Sequence, residues 1–269
     1  MIAIILAGGT GTRLWPYSRN MTPKQFLKLG SSQESLFQET SRRLESLVPP
    51  EQIYIVGGDA HKDQLRQQIL QIFPDFPIDQ LLLEPVGRNT APAILWSILR
   101  IPESKRTDSV VVLASDHLIK NLHSFTLALK RGERLASSGY IVTFGIKPDR
   151  AETGYGYIKS GEPLEVGFKV EEFVEKPDQS TAEQYLESSD YTWNASIFMA
   201  TTETWLQEFR NMLLNYLMYL KKKLLQEIFQ IKNKFGRFII LFLQILSITR
   251  CLKNQIVWLL YPLPWNGLI

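Results

Sequence analysis

The sequence predicts an α/β fold, one mostly parallel central sheet with helices on both faces. Three observations carry this. Short apolar runs recur at Met1–Leu6, Gln52–Val56, Leu81–Leu83, Ser109–Leu113 and Ile141–Phe144. Segments with helical spacing of apolar residues lie between them. The first run closes on Gly8-Gly9, turn residues suited to the point where a buried strand gives way to a loop. Strands that alternate with helices are covered on both faces, so they read as continuous apolar runs.

The helical stretches follow in order. Residues 33–48 show helical spacing through Leu36, Phe37, Leu44, Leu47 and Val48. Residues 60–73 repeat it, and Thr90–Leu99 holds Pro92 in its first turn, where a missing N–H is tolerated. Residues 123–137 predict an amphipathic helix. Residues 151–200 differ, being rich in Gly, Tyr and β-branched side chains, and predict short strands that extend or cap the sheet. No internal repeat or low-complexity linker precedes residue 210.

A length of 269 residues allows one large domain or two small ones, and 45% apolar with 21% charged residues is an ordinary globular balance. One cysteine, Cys251, excludes internal disulfides and a cysteine zinc site. The apolar residues 2–7 are broken at once by glycine and have no basic stretch ahead of them, so a cytoplasmic location is expected. The net charge of +3 is uneven: residues 211–269 hold eight Lys/Arg and one acid, leaving 22 basic and 26 acidic residues before them. The basicity belongs to the tail, and neither nucleic acid nor membrane is an expected partner of the whole chain.

Ligands of open parallel sheets sit at the carboxyl ends of the strands. After the first strand come Leu6, Ala7, Gly8, Gly9, Gly11 and Thr12, a glycine-rich turn whose backbone can approach anionic oxygens. Arg13 adds a bidentate phosphate donor and Lys24 a point charge. No Gly-Lys-Ser/Thr follows, and Leu14 stands at the third glycine position of a dinucleotide fingerprint. Taken alone, this is equally a structural turn.

The full string LAGGTGTRLWPYSRNMTPKQFL at Leu6–Leu27 resembles the signature of the nucleotide-sugar pyrophosphorylase family, in the form of its mannose-1-phosphate guanylyltransferase branch. The resemblance continues in order through residues 87–93 (GRNTAPA), 114–117 (ASDH), 144–146 (FGI), 152–158 (ETGYGYI), 173–177 (FVEKP) and Trp193-Asn194. It implies a Rossmann-like, GT-A-like nucleotide-diphospho-sugar transferase fold. It also implies GTP and mannose 1-phosphate as partners, with Mg2+ as cofactor; a homo-oligomer stays open. Another nucleotide and sugar-phosphate pair is the alternative within the fold.

The resemblance distributes roles. Arg13 and Lys24 would neutralise the triphosphate, and Asp116, at the end of an apolar strand, would bind Mg2+. Arg88 and Asn89 would contact guanine or nearby phosphate; Gly154, Glu175, Lys176 and Asn194 would hold the sugar phosphate. Plainer readings stand beside each: surface salt bridges for Arg13 and Lys24, a helix N-cap for Asp116, loop capping for Arg88 and Asn89, an exposed pair for Glu175–Lys176, a turn for Asn194. His117 reads as a packing histidine. The family commonly has glycine where this chain has Ser196.

The catalytic region is expected at 1–210, incomplete at its end, with an aberrant tail at 211–269. The family continues with a helix resembling Tyr-Ala-Pro-Glu, then Asp-Tyr-Ala-Val-Phe-Glu-Lys, then Trp-x-Asp-x-Gly, none of which appears in this frame. Ser247–Gln255 can nevertheless be encoded so that the same bases, grouped one position earlier, read Asp-Tyr-Ala-Val-Phe-Glu-Lys-Ser. A frameshift near residue 210 is therefore expected, with impaired turnover or a non-catalytic chain as its consequence.

Overall fold

A computed structural model describes residues 1–9, 23–29, 32–87, 89–230 and 256–261, of which 221–230 and 256–261 by backbone alone. Its strands are β1 (Ile2–Ala7), β2 (Ile53–Gly58), β3 (Leu81–Glu84), β4 (Ser109–Ala114), β5 (Ile141–Ile146), β6 (Gly156–Pro163), β7 (Phe168–Glu175), β8 (Tyr191–Thr201) and β9 (Ile256–Tyr261). The helices are α1 (Leu36–Arg42), α2 (Lys62–Ile72), α3 (Thr90–Arg100), α4 (Leu122–Ser137), α5 (Gln179–Ser188) and α6 (Thr202–Gln230). The sheet runs β3-β2-β1-β4-β8-β5-β9-β7-β6.

β1 shows why the apolar runs are continuous. Ala3, Ile5 and Ala7 face one core with Phe37, Leu65, Ile69 and Leu129. Ile2 and Ile4 face the other with Ile94, Ile98 and Trp205. Each side chain of the strand therefore meets a helix layer. β1 pairs in parallel with β2 and β4, and β2 with β3.

Local signals set the helix ends. Ser35 and Gln38 form a reciprocal capping box at α1. α4 is capped by Asn121, whose side chain accepts from Ser124 N–H, and it buries Phe125, Ala128, Leu129, Gly132 and Leu135 at helical spacing. The helical stretch expected over 33–48 is shorter as a regular helix, since α1 ends at Arg42 and turns carry the chain to β2.

Residues 151–200 depart from the expectation of strands that only extend or cap the sheet. β6 and β7 do form an edge hairpin. β8, however, threads the middle, antiparallel to β4 on one side and β5 on the other. Strand order is a non-local property, and the buried run Trp193, Ala195, Ile197 and Met199 fits a central slot as well as an edge. α5 was not expected: it buries only Ala182, so no apolar stripe announces it.

The boundary expected at residue 210 falls inside α6. β9 pairs in parallel with β5 and antiparallel with β7. Among the described residues no helix is long and apolar enough to cross a membrane.

Candidate functional site

The parallel strands deliver their carboxyl ends to one edge of the sheet. β1 ends at Ala7, whose side chain is buried while Leu6 is partly so; both offer a ligand only backbone groups. Gly8 and Gly9 follow, exposed, and Gly9 takes φ 108°, a conformation open to glycine and strained for other residues. Gly11, Thr12, Arg13 and Arg88 lie outside the described residues.

The turn is tied down from an adjacent segment. Lys24–Phe26 forms a single 3-10 turn after Pro23, and this puts Gln25 inside and Lys24 at the rim. Gln25 Nε2 donates to the carbonyls of Ala7 (3.1 Å) and Gly9 (3.4 Å). Lys24 Nζ reaches Asp116 Oδ2 at 3.1 Å. Asp116 caps no helix; it stands in a turn after β4, ahead of Asn121, the residue that caps α4. Both predicted residues of this pair are thus partly exposed at the strand ends, facing one another.

Two further groups border this edge. Glu84 ends β3, and its Oε2 lies 3.8 Å from where a Cβ on Gly8 would stand. Burial raises its carboxyl above the usual carboxylate value. Sequence reading passed over Glu84, although an acid at the end of a predicted strand is the same signal that singled out Asp116. Asn89 sits at the start of α3 with φ 69° and makes no side-chain cap bond, so loop capping does not describe it. His117 is neutral near pH 7, because desolvation holds its imidazole down to about 4 against the opposing pull of Asp116.

The residues expected to hold the sugar phosphate lie on or beside β6, β7 and β8. Gly154 lies in the turn before β6, and its N–H donates to Glu152 Oε1 at 3.0 Å. Glu175 ends β7 opposite Gly156. Lys176 Nζ stands 3.0 Å from Glu175 Oε1, both side chains half exposed, so the structure shows the exposed pair. Asn194 Oδ1 accepts from Thr143 Oγ1 and from Ser196 N–H, each at 3.0 Å, at the irregularity where β8 shifts register against β5. Its oxygen does the work of a turn residue, while its Nδ2 has no partner among the described residues. Ser196 takes φ 53°, the left-handed region that glycine prefers.

The two groups share one edge. The β4–β8 ladder, with Val112 opposite Phe198, runs toward Asp116 on one strand and Asn194 on the other. A glycine turn, a cation and a carboxylate on one side and amide and carboxylate groups on the other suit a phosphorylated ligand joined to a polyhydroxylated one. The fold and this edge define a nucleotide-handling α/β protein. The chain belongs to the nucleotidyl transferase family, whose model matches residues 2–233. It is 42% identical over 212 residues to the mannose-1-phosphate guanylyltransferase of Klebsiella pneumoniae, covering 77% of this chain and 44% of that one. Identity is also 42% over 212 residues to mannose-1-phosphate guanylyltransferase RfbM of Salmonella typhimurium (strain LT2), covering 78% and 43%. Among solved structures, the mannose-1-phosphate geranyltransferase of Thermus thermophilus superposes with a TM-score of 0.75 at 30% identity, over 98% of this chain and 74% of that one. The chain spans less than half the length of the curated relatives it matches.

Proposed function

We propose that this site transfers a guanylyl group from GTP to α-D-mannose 1-phosphate, giving GDP-mannose and diphosphate. The supporting observation is that the 42%-identical relatives are mannose-1-phosphate guanylyltransferases, over a stretch that covers 77% of this chain. An oxygen of mannose 1-phosphate attacks the α-phosphorus of GTP, and the bond from that phosphorus to the bridging oxygen breaks. The electron pair leaves on diphosphate. The nucleophile needs no dedicated base, because a phosphate monoester has its second pKa near ~6 and is largely dianionic at pH 7. Catalysis then rests on aligning and neutralising crowded anions. Lys24 and Arg13 serve the triphosphate, with Leu6 to Thr12 as its backbone cradle. Glu84 supplies an acceptor for guanine N–H donors, and Arg88 and Asn89 further contacts to guanine or nearby phosphate. Gly154, Glu175, Lys176 and Asn194 Nδ2 receive the sugar phosphate.

Mg2+ fits as the metal. No group of three or more His, Cys, Asp or Glu among the described residues could hold an ion unaided. Magnesium carried on phosphates needs only one or two carboxylates, and the partly exposed Asp116 provides one. When bound, the ion would offset charge on the phosphate oxygens.

A second reading, that this chain turns over poorly, is favoured by α6. Leu213, Leu214, Leu217, Met218 and Tyr219 are all at least half exposed, as expected of a segment read out of frame from about residue 210. Diphosphate release with mannose 1-phosphate plus GTP, against dTTP, UTP and ATP, separates the readings. Release with GTP above the other nucleotides supports guanylyl transfer, and release with another nucleotide refutes it. Stabilisation by GTP·Mg2+ without release supports the non-catalytic reading. The gene sequence around codon 210 tests the frame directly: the idea fails if no one-base shift restores the family's blocks.

A further inference from the structure

The turn that presents Asp116 is gripped from behind by α1. Thr40 stands on the last turn of that helix and Arg43 caps its C-terminal end, both buried. Thr40 Oγ1 donates to the carbonyl of Ser115, just before Asp116, at 3.4 Å. Arg43 donates through both terminal nitrogens to the carbonyl of His117, just after Asp116, at 2.9 and 3.0 Å. One of those nitrogens also donates to Thr40 Oγ1, so the two grips are linked. The guanidinium lies over the ring of Phe125, 5.9 Å from its centroid.

We propose that Thr40 and Arg43 are positioning residues for Asp116, holding the backbone on both sides of it so that its carboxylate is set against Lys24 and the metal-bound triphosphate. The inference rests on the guanylyl-transfer reading above. Its physical basis is the cost of the arrangement. Burying a guanidinium is unfavourable unless strong, well-aligned bonds offset it, and an apolar side chain would fill the same volume more cheaply. Here the fork closes on the carbonyl next to the candidate metal ligand, more than seventy residues away in sequence. Side chains that orient a ligand in this way govern affinity for the metal as well as stability.

Manganese(II) binding by electron paramagnetic resonance, with and without GTP, tests this on the full chain. Arg43→Lys keeps the charge and loses the fork; Thr40→Val keeps the shape and loses the Ser115 tether. Each is expected to weaken Mn2+ affinity in the GTP complex, Arg43→Lys by about tenfold, with metal-free GTP affinity unchanged. Asp116→Asn is the control and should lose more than either. If both variants bind Mn2+ as tightly as the parent while Asp116→Asn does not, the positioning role is overturned and the residues only pack. If Asp116→Asn also binds normally, the metal assignment itself fails and the positioning role falls with it. Should Arg43→Lys not fold, Thr40→Val alone decides between these outcomes.

Discussion

Along α6, Trp205 and Phe209 turn inward and stack at 6.1 Å between centroids, with Trp205 only 2% exposed against the α3 side of the sheet. One to three turns later Leu213, Leu214, Leu217, Met218 and Tyr219 are at least half exposed on the same helix. α1 shows the usual arrangement: Phe37 and Leu36 are buried, and on the outside Arg42 pairs with Glu34 and Glu45. The difference separates two things a sequence encodes. Leucine, methionine and lysine favour helix wherever they fall, so the backbone of α6 continues. Burial requires a surface to pack against as well as apolar spacing: beyond residue 210 Leu213 and Leu217 continue the four-residue step of Trp205 and Phe209, yet both stay more than half exposed.

The largest effect expected from this contrast is in stability. Trp205→Ala should cost about 3–5 kcal/mol in chemical denaturation, as for a fully buried aromatic, while Leu217→Ala on the same helix should stay within about 0.5 kcal/mol. Equal costs for the two would break the comparison, since Leu217 would then be packed against a surface.

Legibility follows the same division. β1 to β5 and α2 to α4 were readable because each buries a stripe or a two-sided apolar run, with glycines at the ends of β1 and β2 and a side-chain cap at α4. Asp116 was singled out by its place at a strand end, where parallel sheets bind ligands, and Lys24 as a cation near the glycine turn; the structure brings the two within 3.1 Å. The place of β8 was not readable, because neighbours in a sheet are chosen by contacts distant in sequence. α5 was missed because an exposed helix with one buried alanine leaves no pattern. Thr40 and Arg43 were missed because their contacts depend on atoms more than seventy residues along the chain, whereas Glu84 carried the same strand-end signal as Asp116.

Gln25 gives the next largest effect, at the join between core and site. Its side chain is 3% exposed and donates to two carbonyls of the turn that follows β1. Gln25→Leu keeps most of the volume but leaves the buried Ala7 carbonyl without this donor, an expected loss of about 1–3 kcal/mol. GTP affinity should fall with it, because the backbone that approaches phosphate is no longer held. A stability loss with unchanged GTP affinity would show that the tether serves folding alone. That would sharpen the comparison by placing the matched half's precision in its core rather than in its site.

Ser196 is a place within the well-matched region where side chain and backbone disagree. A non-glycine residue in the left-handed region costs roughly 1–2 kcal/mol, and Ser196 stands there at φ 53°, exposed between the buried Ala195 and Ile197. Glycine would remove that strain but would lose roughly 0.5–1 kcal/mol through the greater freedom of the unfolded chain. Ser196→Gly is therefore expected to stabilise the protein by up to about 1.5 kcal/mol, read as a higher denaturant midpoint at unchanged slope. The N–H that Asn194 Oδ1 accepts is backbone, so the substitution leaves that bond in place. A lower midpoint would mean that the serine hydroxyl contributes more than the conformation costs. The mismatch at Ser196 would then be a local adaptation, and the segment of α6 beyond residue 210 would remain the region where sequence and fold part company.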